Sequence, residues 1–109
     1  MREKIHSYLG FAKRSRNLVS GYNSCIYGIE RGKIYLLVLT ADLSENTKKK
    51  FQALAESCNV QLRIYGTMET MQEMTGEIDR GVYGITDKNL AKAILEEIDR
   101  YGRNGKKEE

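Results

Sequence analysis

A layered α/β domain, with helices on both faces of a small and partly parallel sheet, is predicted by three features of the sequence. Residues 34 to 39 form an unbroken apolar run rich in branched side chains, as a strand covered on both faces requires. Segments with apolar residues every three or four positions lie on each side of it. Two further strand-like stretches, Gln61 to Tyr65 and Val82 to Thr86, alternate with those helical segments, which is the pattern of a layered α/β chain.

Taken in order, Glu3 to Arg14 predicts an amphipathic helix, because Ile5, Tyr8, Leu9, Phe11 and Ala12 share one side and the charges the other. Leu18-Val19 fits a brief strand. Ser20 reads as the N-cap of a second helix that opens at Gly21, turns Cys25, Ile26 and Ile29 inward and stops at Arg31-Gly32. Lys33 to Thr40 is the central strand. Its exit loop, Ala41 to Ser44, offers Asp42 or Ser44 as cap for a third helix through Phe51, Leu54 and Ala55 to about Cys58. Gln61 to Tyr65 is a second long strand, and Gly66-Thr67 introduces a short methionine-bearing helix ending at Thr75-Gly76. After the strand Val82 to Thr86, Asp87 to Tyr101 forms a last amphipathic helix through Leu90, Ala91, Ile94, Leu95 and Ile98. Residues 1–101 therefore make a single domain, and the charged, glycine-containing tail 102–109 is expected to be disordered.

Composition narrows the function. The 109 residues are 40% hydrophobic and 30% charged, as suits one soluble core. No run of eighteen apolar residues and no signal-peptide core occurs, so a cytoplasmic protein with no membrane partner is expected. Cys25 and Cys58, with His6 the only histidine, make neither a disulfide framework nor a zinc set; both cysteines read as small buried hydrophobes, and no metal or cofactor is expected. Motifs of hydrolases, nucleotide-binding loops and metalloproteases are missing. Asp42, Asp79 and Asp87 stand at loop or cap positions, and the chain reads as a non-enzyme.

Charge is unevenly placed. Residues 1–34 carry a net +5 and residues 67–109 a net −3, within a total of +3. The cations concentrate at Lys13, Arg14 and Arg16, just before the tip of the second helix. A helix N-terminus presents unpaired N–H groups and a partial positive charge, so this tip suits a phosphate. On the polar face that follows, Asn23, Ser24 and Tyr27 can offer amide and hydroxyl groups to phosphates or base edges and a ring to a base, and Gly21 allows close backbone approach. The same face also fits an ordinary solvated helix surface with Asn23 assisting the cap.

The ordered segments Leu9-Gly10-Phe11-Ala12-Lys13-Arg14, Leu18-Val19-Ser20-Gly21, Gly28-Ile29-Glu30-Arg31-Gly32-Lys33, Leu36 to Thr40, Asp42 to Lys50 and Val82 to Asp87 resemble the kink-turn-binding ribosomal protein family of the L7Ae type, above all its small bacterial YlxQ-like group. The resemblance covers nearly everything but the tail. It implies a three-layer α/β/α sandwich with a small mixed sheet that recognises a sharply bent RNA duplex with tandem sheared G·A pairs. It also implies that the start of the second helix enters the RNA groove through a Gly-x-Asn-Glu-x-x-Lys run. Gly21 and Asn23 match that run, whereas Ser24 replaces its glutamate and Tyr27 its lysine. Each lost base contact is worth about 1 to 3 kcal/mol of discrimination, and Tyr27 could return a similar amount by stacking, which tolerates any base. The loop Gly76 to Gly81 is implied to cover an extruded nucleotide, with Ile78 suited to a base face and Arg80 to a phosphate; with Glu77 and Asp79, which would repel an RNA backbone, it fits a mixed-charge surface loop equally well.

The resulting reading is a monomeric, non-enzymatic protein whose partner is structured RNA, ribosomal or other, with ribosome components as further partners. Lys13, Arg14, Arg16, Gly21, Asn23, Ser24, Tyr27, Ile78 and Arg80 are its candidate RNA-binding residues. A protein-interaction module that kept the fold and lost the RNA site is the alternative. A small-molecule site under the short fourth helix is a third possibility.

Overall fold

The computed structural model describes the backbone of residues 2–108 and the side chains of residues 4–101. Its elements are α1 (Arg2–Arg14), β1 (Leu18–Ser20), α2 (Tyr22–Glu30), β2 (Leu36–Leu39), α3 (Glu45–Ser57), β3 (Gln61–Ile64), α4 (Met68–Thr75), β4 (Val82–Ile85) and α5 (Lys88–Glu108). The range of α5 passes the Tyr101 at which the sequence places its end. The side chains of the tail 102–109 lie outside the described residues, as does any test of its expected disorder.

The four strands form one mixed sheet in the order β1-β4-β2-β3, with β2 and β3 parallel and the other two pairings antiparallel. Alternation along the strands divides the core into two halves. Leu36, Val38, Tyr83 and Ile85 meet Ile5, Leu9 and Ala12 of α1, Met71 of α4 and Ile94 of α5. Leu37, Leu39 and Val82 meet Cys25 and Ile29 of α2 and Phe51 and Ala55 of α3. This is the expected three-layer sandwich. The edge strand β3 is fastened to α5 by Arg63, whose Nε and Nη2 donate to the two carboxylate oxygens of Asp99 at 2.7 and 3.1 Å.

Several local expectations change. The paired strand β2 is shorter than Lys33 to Thr40, and Ile34, which precedes it, packs into the space of two glycines: its Cδ1 lies where a Cβ on Gly28 or Gly84 would approach to 2.9 or 2.5 Å. Ser20 does not cap α2. It is the last residue of β1, paired with Tyr83, and the cap position belongs to Gly21 at φ 103°, a conformation that L side chains rarely adopt. Ser44, not Asp42, caps α3, its hydroxyl accepting from the Thr47 N–H; Thr67 caps α4, and the Asp42 carboxylate adds an acceptor for the Met68 N–H that opens that helix. Cys25 is buried as expected, which pushes its thiol up to about 12 and leaves it inert. Cys58 is exposed instead, because it sits at the C-cap of α3, where the chain leaves the core.

Candidate nucleic-acid interface

Pairing of β1 with β4 sets the tip of α2 beside the loop that precedes β4. Gly21 donates its N–H to the Val82 carbonyl at 2.9 Å, and the first intrahelical bond of α2 runs from Cys25 N–H to the Gly21 carbonyl. Among the described residues no side chain caps the helix, so the N–H groups of Tyr22, Asn23 and Ser24 are left for an external acceptor. Gly21 itself is buried, whereas Tyr22, Asn23 and Ser24 are exposed. Arg80 lies directly over this tip. A Cβ on Gly21 would stand 2.9 Å from its Nη1, so the absent side chain is what lets the guanidinium settle there.

The loop from Gly76 to Gly81 is held from below. The Tyr83 hydroxyl donates to the Arg80 carbonyl at 3.0 Å, and the Glu77 N–H donates to the Thr75 hydroxyl at 3.2 Å. Glu77 then ties three segments together by accepting from the Ser20 hydroxyl at 2.8 Å and from the Lys13 ammonium. These two donors, Lys13 first, hold its carboxyl below the usual glutamate range, against a smaller opposing effect of burial. Ile78 is the most exposed of the large apolar side chains among the described residues, at 64%, and projects from the same loop.

Not every expected cation is equally free. Lys13 is paired with Glu77, so part of its charge is offset within the protein. Arg14 folds back along α1 until its Nη1 would meet a Cβ on Gly10 at 3.3 Å; Arg16 is exposed, and neither arginine has an ion pair among the described residues. Arg16 also closes α1. The Asn17 N–H returns to the Ala12 carbonyl and the Arg16 N–H to the Lys13 carbonyl, a Schellman arrangement in which Arg16 takes the left-handed position at φ 64°. Glycine is the residue that position favours, so an arginine there is held at a conformational cost.

The polar face of α2 is displayed as the sequence predicts, with additions. Asn23, Ser24 and Tyr27 share a groove with Val19, Lys33 and Thr86, and Arg31 stacks on the Tyr27 ring at 3.9 Å from its centroid. Tyr22 packs edge-on against Phe51, with the Lys50 ammonium 5.3 Å from its ring centroid. Lys33, Arg31, Lys50 and Glu77 were not among the sequence candidates. Spacing four signals the Tyr27 and Arg31 pair, whereas nothing local signals contacts across tens of residues. A separate cavity of about 400 Å³ beside α4 is lined by His6, Tyr65, Thr70, Glu73 and Tyr101, at the place of the third possibility raised above. Among the described residues no three His, Cys, Asp or Glu could hold a metal ion, and no helix is long and apolar enough to cross a membrane.

Comparison with known proteins agrees with this architecture. Residues 3–94 match the model of the ribosomal protein L7Ae/L30e/S12e/Gadd45 family. The RNA-binding protein YlxQ of Bacillus subtilis is 32% identical over 94 residues, covering 84% of this chain and 91% of that protein. The RNA-binding protein YlxQ of Enterococcus faecium is 31% identical over 98 residues, covering 90% and 94%. A Bacillus halodurans protein of unknown function superposes with a TM-score of 0.85 at 27% identity, over 88% of this chain and 97% of that one. A Giardia lamblia 15.5kD RNA binding protein superposes at 0.73 over 90% and 86%, and its 15% identity shows the fold alone.

Two stability measurements test this geometry. Arg16→Gly should raise the unfolding free energy by about 0.5 to 1 kcal/mol in urea titration, since glycine relieves the left-handed strain; a destabilised variant contradicts the strain. Because Glu77 titrates below its ordinary 4.5 in the folded chain, its stabilisation is complete above that value and is lost as pH falls through the folded one. The gap in urea midpoint between wild type and Glu77→Gln should therefore narrow below pH 4.5. A gap that stays constant from neutral pH to pH 3 counts against the network.

Proposed function

The chain belongs to the ribosomal protein L7Ae/L30e/S12e/Gadd45 family, and from that membership we propose that it binds structured RNA, of kink-turn or kink-like form, in a ribosome-associated or RNA-processing setting in the cytoplasm. The observation that carries this reading is the seating of Arg80 over Gly21, which joins the uncapped start of α2 and the loop 76–81 into one cationic surface. The curated relatives bear RNA-binding names, and the reading assigns no catalysis to this chain.

On this surface the roles separate by chemistry. The N–H groups of Tyr22, Asn23 and Ser24 face a backbone phosphate with the helix dipole behind them. Arg80, Arg14 and Arg16 neutralise neighbouring phosphates, and Lys13 contributes less because Glu77 shares its charge. Asn23 reaches a base edge, and Ile78 offers an apolar face to a nucleotide turned out of the stack. Ser24 and Tyr27 stand where charged side chains are implied by the family run. Selectivity should therefore be weaker than a Glu and Lys pair provides, by about 1 to 3 kcal/mol for each replaced contact.

Electrophoretic shifts across a salt series test the proposal. The protein should bind a kink-turn RNA more tightly than a straight duplex of equal length, and Arg80→Ala or Arg14→Ala should each lower the slope of log K against log salt by about 0.7 to 0.9 per lost phosphate contact. Lack of binding to any structured RNA at low salt overturns it.

A further inference from the structure

We propose that the groove between α2 and the β1 edge of the sheet seats one unstacked nucleobase of the bound RNA, with Tyr27 as its stacking platform. The inference rests on the RNA-binding reading above and adds a site to it. The groove encloses about 430 Å³, within the range of small-ligand pockets, and it adjoins the tip of α2 because Asn23 and Ser24 line both.

Four observations fit a base rather than a phosphate alone. Tyr27 is 58% exposed, although a ring of that size near a sheet edge could have been buried. Arg31 covers one face of this ring, and Tyr27 lines the groove whereas Arg31 does not. That cation orders the ring before any ligand arrives and draws electron density toward its own side, which improves stacking of an electron-rich base on the other. Val19 lends an apolar wall, and Gly28 lines the groove with backbone alone.

The polar groups around the ring complete the recognition of a nucleotide. Asn23, Ser24 and Thr86 line the groove, and their side chains make no hydrogen bond among the described residues. An amide supplies donor and acceptor together, as a base edge requires. The Lys33 ammonium, exposed and without an ion pair among the described residues, stands at the rim for the phosphate of the same nucleotide. Stack, edge and phosphate are thus met by one aromatic, one amide and one cation.

The test uses the full chain and a kink-turn RNA in which 2-aminopurine replaces each unpaired nucleotide in turn. One position should lose fluorescence on binding as the probe stacks. Tyr27→Ala should abolish that signal and weaken binding about 5- to 100-fold, while Tyr27→Phe should keep both. Lys33→Gln, which leaves the ring in place, should keep the signal at saturation and raise Kd several-fold. If wild type binds the RNA but no position responds, or Tyr27→Ala responds like wild type, the base seat is wrong and the RNA-binding reading stands. If wild type binds no structured RNA, both fall.

Discussion

A three-residue strand carries most of the organisation of this molecule. Because β1 pairs antiparallel with β4, Ser20 stands opposite Tyr83, and the chain must leave the sheet edge immediately to begin α2. Only a residue free to adopt φ 103° can make that turn while donating its N–H to Val82. Glycine meets both demands and leaves the space that Arg80 fills. The tip of α2 and the loop before β4, some fifty-five residues apart in sequence, become one surface as a consequence of a single short ladder. A conventional serine cap would have occupied the N–H groups that this arrangement leaves available.

Glu77 shows how a carboxylate can serve a cationic surface. Standing free, it would repel a phosphate chain; fastened to Lys13 and Ser20, it links α1, β1 and the loop, while Arg80 and the two arginines remain outward. Strain at Arg16 belongs to the same balance. A left-handed helix end favours glycine, and an arginine kept there exchanges some stability for a charge at the edge of the surface.

Much of this was legible from residue patterns because it is local. Periodicity located α1, α3 and α5, the apolar run marked β2, and glycines marked where α2 and α4 end. Ser44 could be named as the cap of α3, whereas the use of Asp42 as an acceptor for α4 depends on how Met68 is brought back beside the exit of β2. A serine before a glycine resembles a cap, whereas the place of Ser20 in a strand comes from pairing with a segment more than sixty residues away. The placement of Ile34 depends on two glycines from different elements. For the site, Gly21, Asn23 and Arg80 could be proposed from the sequence, but the carboxylate that joins Lys13 to them could not. Nothing in local spacing marks a contact 64 residues long.

The face of α2 is where this chain follows its own chemistry. With Ser24 and Tyr27 in place of charged residues, charge comes instead from Arg31 and Lys33 around the groove and from Arg80 over the tip. The central claim is that the tip and the loop act as one binding surface. Amide chemical shifts followed during titration with a kink-turn RNA test it most directly. Residues 21–24 and 76–81 should shift together along one binding curve. Shifts confined to α3, to α5 or to the cavity beside α4, with the tip and loop unmoved, would contradict the account.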